Sequence, residues 1–301
     1  KNTLLYTEMI VDEAINRGDK KRLLEFNINE KPVALQLGGS SPKLLSEASK
    51  IGEDFGYDEI NLNLGCPSKK VEKNKFGACL MKEPNLVADC LNKMQSVCKL
   101  PITIKTRIGY DDVEDYEHLY KFIEVLKKTG IKTFIIHARK AMLGKFTPKQ
   151  NLNIPPLKYD VVYRLKKDFP KEEIIINGGI TSTEQIKEHL KIVDGVMMGR
   201  SIYQSPYLLA DIEKEIFNNE NILSRQEVME NLVPYVKEET KKGTRLNQIM
   251  RHTLGLFHGQ AGSSFWKRYL SENMCVRDAD VKKIDHIMDK ISFNHITSSA
   301  S

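Results

Sequence analysis

Up to about residue 205 the chain alternates short apolar runs of strand character with longer stretches of helical periodicity. The strand-like runs cover residues 3–6, 32–37, 59–63, 102–105, 133–137, 174–177 and 195–198. Several of the helical stretches carry start signals. Ser41 precedes Pro42, a capping residue followed by proline at the first helical position. Thr181-Ser182-Thr183-Glu184 contains a capping box ahead of Ile186 and Leu190. Strand and helix in repeated alternation predict a parallel sheet, and a run this long predicts an α/β fold of the (β/α)8 TIM-barrel type. A closed barrel of that type needs eight strands, and seven are visible. Either one strand escapes the pattern or the first lies upstream of Lys1. Residues 3–6 begin with no element before them, which favours the second explanation.

Beyond residue 205 the strand patterns stop. Helical periodicity fills residues 208–217, 225–242, 247–258, 263–274 and 278–291. Ser224 and Glu227 form a further capping box, and Gly243 is a natural helix stop. Pro234 is expected to kink the second of these helices or shift its start. The resulting division is a barrel domain over residues 1–205, a helical domain over 206–295 and a frayed polar tail over 296–301.

Composition narrows the class of protein. Hydrophobic residues make up 41% of the chain, enough for a large core. No run of about 18 apolar residues exists, so no membrane span is expected. No signal peptide is visible, but the chain begins at Lys1 rather than Met, which leaves targeting at that end unreadable. The five cysteines (Cys66, Cys79, Cys90, Cys98 and Cys275) are odd in number and form no C-x-x-C. That argues against a disulfide framework or a metal site and fits a reducing cytoplasm. The net charge of +6, from 46 basic and 40 acidic residues, permits a polyanionic partner without demanding one.

Candidate chemistry gathers at the carboxyl ends of the strands, where a (β/α) barrel builds its active site. The alternation of Ile60, Leu62 and Leu64 against Asn61 and Asn63 runs into Gly65-Cys66-Pro67, presenting a lone thiol at a strand mouth. A thiol with a pKa of about 8.5 is mostly protonated near neutrality and can give up a proton. It becomes a nucleophile if a base or cation lowers that value. Free cysteines are often simply buried, but the flanking Gly and Pro at a strand end argue against that here. Cys79 lies in an apolar helical context and reads as packing; Cys90, Cys98 and Cys275 show nothing catalytic.

The other strand ends supply Gln36, Asn63, Lys105 with Arg107, His137 with Arg139 and Lys140, Asn177 with Gly178-Gly179, and Gly199-Arg200. The last two groups end the final two strands, where barrels often bind phosphate through bare backbone N–H groups. Either could be a plain tight turn alone; the pair in consecutive units favours phosphate. Lys105 closes a run expected to be buried, which is costly unless the ammonium meets an anion such as the N1/O2 edge of a reduced flavin. Snorkelling to the rim is the alternative for Lys105. His137 is either a satisfied core histidine or a cofactor contact.

With these residues assembled, the chain resembles the tRNA-dihydrouridine synthases, most closely the A-type subfamily. The matching blocks are LLYTEM (4–9), PVALQLGG (32–39), EINLNLGCPSKKVEKNKFGACLM (59–81), TIKTRIG (103–109), FIIHARKA (134–141), NIPPL (153–157), INGGI (176–180), GVMMGR (195–200) and RYLSEN (268–273). HARKA followed by NIPPL, and the run from Arg251 to Gly259, look A-type in particular. The resemblance implies a flavin-binding barrel followed by a helical domain. It implies reduction of the C5=C6 bond of a tRNA uridine, with NADPH recharging FMN, at the D-loop positions called twenty and twenty-a. Cys66 matches the catalytic general acid, a role served by a normal or raised thiol pKa. Gln36, Lys105 and His137 match FMN ligands, and Asn177, Gly178, Gly179, Gly199 and Arg200 match phosphate-binding residues. Asn63, Lys149 and Arg268 occupy positions where the family contacts tRNA.

Arg139, Lys140 and the basic stretch over residues 237–251 are further candidates for RNA contact, with the target base leaving its stack. Glu238 and Glu239 interrupt that stretch, so an ordinary solvated helix is the alternative. The partner expected is tRNA, with no membrane, metal or obligate protein partner. One departure stands out: the family's first strand, with an Ala-Pro-Met-type segment covering the flavin, is absent upstream of Leu4, in line with the strand count. Two competing functions are a flavin-dependent reductase of a free pyrimidine and a non-catalytic tRNA-binding protein.

Overall fold

The computed structural model describes residues 2–113, 115–274 and 286. Cys275, most of the helix expected over 278–291 and the expected tail lie outside the described residues. The chain divides into two compact units. One comprises the chain through Ile180 together with Glu184–Met197, and the other Thr181–Thr183 together with the chain from Met198 onward.

The first unit is built on β1 (Leu5–Tyr6), β2 (Ile10–Val11), β3 (Val33–Gly38), β4 (Glu59–Asn63), β5 (Ile102–Arg107), β6 (Thr133–His137), β7 (Glu173–Asn177) and β8 (Gly195–Met197). Every ladder is parallel, and the order around the sheet is β1-β3-β4-β5-β6-β7-β8. All seven predicted runs are strands. An eighth, β2, does escape the sequence pattern, being two residues long. It adds no new position round the barrel, because β1 pairs with Val33 and Ala34 while β2 pairs with Leu37 and Gly38 of the same β3. The two are segments of one interrupted strand. Between them the Thr7 side chain accepts the Gln36 N–H at 3.0 Å, replacing a ladder bond. No ladder among the described residues joins β8 to β1.

Helices Pro42–Asp54, Pro84–Gln95, Tyr116–Lys127, Tyr159–Asp168 and Thr183–Leu190 follow β3 to β7 in turn, giving the α/β barrel architecture. Ser41 caps the first of them as expected, accepting from the Leu44 N–H, with Pro42 in the first turn. Leu35, Ile60, Leu62, Ile104, Phe134, Ile136, Ile174 and Ile176 are fully buried and alternate with the residues discussed below. Their face is the one covered by helices. A Cβ on Gly52 of Pro42–Asp54 would lie 2.7 Å from Leu35 and 2.8 Å from Ile60, so glycine lets that helix sit directly on β3 and β4.

The second unit contains helices Arg200–Gln204, Leu208–Glu215, Arg225–Lys241, Leu246–Met250 and Ser263–Asn273. Its core is Met229, Val236, Leu246, Met250, Leu256, Phe257, Leu270 and Met274 around the fully buried Trp266. The capping box of Ser224 and Glu227 is present. Pro234 neither delays nor ends its helix, which runs from Arg225 to Lys241. The proline is exposed, so the carbonyl it leaves unbonded faces solvent. The single helix expected over 247–258 is corrected. It ends at Met250 and passes into a 3-10 turn, Arg251–Thr253. The Thr253 carbonyl accepts the Leu256 N–H at 2.9 Å, a tighter turn than an α-helix makes, and also accepts Trp266 Nε1 at 3.0 Å. No helix among the described residues is long and apolar enough to cross a membrane.

Candidate active site

Strand register alone brings most of the predicted residues to one face of the sheet. Gln36 is level with Asn61, Asn63 with Lys105, Arg107 with His137, and His137 with Asn177. Residues two apart on a strand share a face, so Gln36, Asn63, Lys105, Arg107, His137 and Asn177 all lie opposite the helix-covered side. This is the barrel interior, and each sits at or near a strand's carboxyl end.

The thiol loop is tied down from three sides. Asn63 Oδ1 accepts the N–H groups of Gly65 at 3.0 Å and Cys66 at 2.9 Å. Arg107 Nε donates to the Gly65 carbonyl at 2.8 Å. The Cys66 carbonyl accepts from the Ala78 N–H at 3.0 Å. A Cβ on Gly77 would lie 2.6 Å from that carbonyl, and its φ of 73° also requires glycine. Cys66 itself is half-buried. Cys79, read as packing, donates its S–H to the Phe76 carbonyl, and burial raises its pKa; Cys90 and Cys98 are buried.

Two cations flank this loop. Burial pushes the Lys105 ammonium down to about 8; the Arg107 guanidinium adds to the fall and the Cys66 sulfur opposes it. Burial likewise lowers Arg107 to about 10, with Cys66 again opposing and Arg139 reinforcing. Neither cation forms an ion pair with a described carboxylate. Arg107 is spent on carbonyls, adding those of Lys140 at 3.0 Å and Asn151 at 3.3 Å to that of Gly65. Lys105 has no such set, and a buried cation in that condition suits an anionic ligand. A flavin therefore fits the donor chemistry at this end of the barrel.

The remaining predicted residues are placed as follows. His137 is buried, and a Cβ on Gly178 would lie 3.0 Å from its ring, so glycine there permits the contact. Asn177 Nδ2 donates to the Met197 carbonyl, and Tyr159 donates to the Gly178 carbonyl at 2.6 Å. Together these hold the Asn177-Gly178-Gly179 turn, where both glycines have positive φ. Gly199 and Arg200 belong to the second unit. Both are exposed, Gly199 as the residue before helix Arg200–Gln204, with open space where its Cβ would be. Arg139 donates to the Pro155 carbonyl, and Lys140 is half-buried. Lys149 is exposed on Pro148–Asn151, and Arg268 is exposed on Ser263–Asn273. Within the basic stretch, Lys242 bridges Glu238 and Glu239.

Sequence reasoning gave no role to Glu59, Asn61 or Thr103, named Arg107 only as a strand-end candidate and passed over Asn151; all five support the thiol loop or its neighbours. The signal was available for the first four. Polar residues at 59, 61 and 63, and at 103, 105 and 107, share the parity of the site. No group of three or more His, Cys, Asp and Glu among the described residues is arranged to hold a metal.

The structure so far defines a parallel (β/α) barrel that gathers a thiol, a buried cation and amide side chains at its carboxyl-terminal mouth. The match to known proteins makes that specific. The family model described as dihydrouridine synthase matches residues 1–292, and the chain belongs to that family. Proteins named tRNA-dihydrouridine(20/20a) synthase are similar to it along most of their length. That of Synechocystis is 53% identical over 280 residues, covering 93% of this chain and 84% of its own. That of Vibrio vulnificus is 48% identical over 293 residues, covering 97% and 90%. That of Escherichia coli K12 is 48% identical over 294 residues, covering 97% and 85%. The family is generally flavin-dependent.

Proposed function

We propose that this protein reduces the C5=C6 bond of a uridine in the tRNA D-loop, at positions twenty and twenty-a, to 5,6-dihydrouridine. FMN is the cofactor and NADPH its reductant, and a cytoplasmic location goes with a tRNA substrate. The names of the relatives support the substrate. The observation that carries the chemistry is a half-buried thiol on a tightly held loop, within electrostatic reach of two cations that lack carboxylate partners.

Gln36, Lys105 and His137 would hold the flavin ring. Asn177, Gly178, Gly179, Gly199 and Arg200 are assigned to the phosphate on the family resemblance. When bound, reduced FMN supplies the hydride that adds to C6 of the uracil. Cys66 donates its proton to C5, completing the saturation of the bond, and is left as a thiolate. Lys105 and Arg107 offset that negative charge until solvent returns the proton. A thiol that must begin protonated is served by a loop held through its backbone, which fixes position without demanding ionisation. Asn63, Arg139, Lys140, Lys149 and Arg268 are assigned to tRNA. Of these, Lys149 and Arg268 are the exposed cations best suited to phosphate contacts.

The test is incubation with NADPH and unmodified tRNA, followed by mass spectrometry of the nucleosides. Dihydrouridine in the D-loop is the expected product. Reduction of free uracil or orotate with tRNA left untouched would instead establish the free-pyrimidine reading. Protein that stays colourless with added FMN would favour a non-catalytic role. Arg200→Ala is expected to lose FMN on gel filtration, and retention would remove Arg200 from the phosphate site.

A further inference from the structure

Five side chains, Asn63, Gln36, Asn61, Thr103 and Glu59, form one hydrogen-bonded series across β3, β4 and β5. Asn63 Nδ2 donates to Gln36 Oε1 at 2.8 Å, and Gln36 Nε2 donates to Asn61 Oδ1 at 2.9 Å. Asn61 Nδ2 donates to Thr103 Oγ1 at 2.8 Å, and Thr103 donates to Glu59 Oε1 at 2.6 Å. Tyr6 adds a second donor to the same carboxylate oxygen at 2.7 Å. Every bond in the series points toward Glu59. At the far end Asn63 Oδ1 receives the Gly65 and Cys66 N–H groups.

The two ends dictate this direction. A backbone N–H can only donate and the Glu59 Oε1 atom accepts both the Thr103 and the Tyr6 hydroxyls, whereas the hydroxyl and the amides between them could turn either way. Turning any one of them would set donor against donor or acceptor against acceptor. Gln36, Asn61, Asn63 and Thr103 are each no more than 9% exposed, so water cannot repair such a mismatch. Serial bonds in a buried site also polarise one another, which gives the acceptor end influence over the whole row.

We propose that Glu59 is a positioning residue, which from the start of β4 sets the orientation of the Asn61, Gln36 and Asn63 amides and thereby holds the Cys66 loop. It acts over about 13 Å, the length of four residues of strand. Burial raises the Glu59 carboxyl, and the bonds from Thr103 and Tyr6 oppose that rise, as a built acceptor site requires. The consequence for turnover rests on the reading of Cys66 as proton donor given above. The consequence for the loop does not.

Two cuts test the series. Thr103→Val removes the hydroxyl with little change of shape, Thr103→Ser keeps it, and Glu59→Leu removes the terminal acceptor. The first readout is the rate at which iodoacetamide alkylates Cys66 in flavin-free protein, followed by peptide mass spectrometry. The second is kcat and KM for tRNA in the flavin-loaded enzyme. Thr103→Val and Glu59→Leu are expected to change the alkylation rate about threefold or more and to lower kcat about tenfold. Thr103→Ser should resemble the unaltered protein in alkylation rate and in kcat. Unchanged alkylation in a folded Thr103→Val protein overturns the proposal, as does a Thr103→Ser protein equally impaired. Should Glu59→Leu fail to fold, the near-isosteric Thr103→Val carries the test alone. Unaltered protein that makes no dihydrouridine would overturn the proposed reaction, while the alkylation rates would still decide the role of Glu59.

Discussion

The interior of the barrel unit and the core of the helical unit are both buried, yet they are held in opposite ways. Around Cys66 the barrel interior uses directional bonds between amides, a hydroxyl and a carboxylate, each with a defined donor and acceptor. The helical unit uses apolar volume around Trp266, with Phe257 ring to ring at 4.9 Å. Volume tolerates substitution when size is kept, whereas a polar network fails when one partner is lost. Chemistry is therefore expected on the side whose geometry is over-determined, and tolerance on the other.

The sharpest break of this contrast is Cys66→Ala. Turnover should fall about 10²- to 10⁴-fold, the usual worth of a general acid, with circular dichroism and thermal midpoint unchanged. Unchanged turnover would remove Cys66 from the chemistry. Trp266→Ala should cost about 3–5 kcal/mol in the helical unit by urea unfolding, while Cys66 alkylation stays the same. A change in alkylation would show the two regions to be coupled.

Lys105→Met should have effects of opposite sign. It relieves a buried charge, so the flavin-free protein should melt higher, yet FMN retention should drop. In the unaltered protein the Lys105 ammonium sits at about 8 folded against 10.5 unfolded, so between those values the unfolded chain binds more protons. Its contribution to stability therefore rises with pH across that window, and the rise should be missing in Lys105→Met melting curves. Tyr159→Phe, which frees the Gly178 carbonyl, should cost about 1 kcal/mol and weaken FMN binding modestly in a fluorescence titration. Lys242→Met should leave the thermal midpoint nearly unaltered, because the Lys242 ammonium that bridges Glu238 and Glu239 is itself solvated.

Much of the barrel was legible because strands and capped helices leave local signals. Ser41-Pro42 and Ser224 with Glu227 cap as their spacing indicates. β2 was not legible, since two residues carry no periodicity and its pairing depends on Leu37 and Gly38 far along the chain. The break after Met250 was hidden for a related reason. Ile249, Met250, Leu254 and Phe257 fit a helical stripe, and the indole that shares the Thr253 carbonyl with the tighter turn lies thirteen residues on. At the site, individual strand-end residues could be named, but the partners of Asn63 and Arg107 come from other strands and loops. A list of polar residues does not say which will donate to which.

The alternation of β4 also has a consequence for how the chain assembles. Glu59, Asn61 and Asn63 face the interior while Ile60 and Leu62 face the helices. A slip of one residue would drive a carboxylate and two amides into the helix layer and leave Thr103 and Gln36 opposite isoleucine and leucine. Misregistered pairings of this strand would thus be rejected during folding by the same side chains that later hold the thiol. Substitutions that silence the polar row should for that reason surface first as slow or heterogeneous refolding, before any assay of turnover is run.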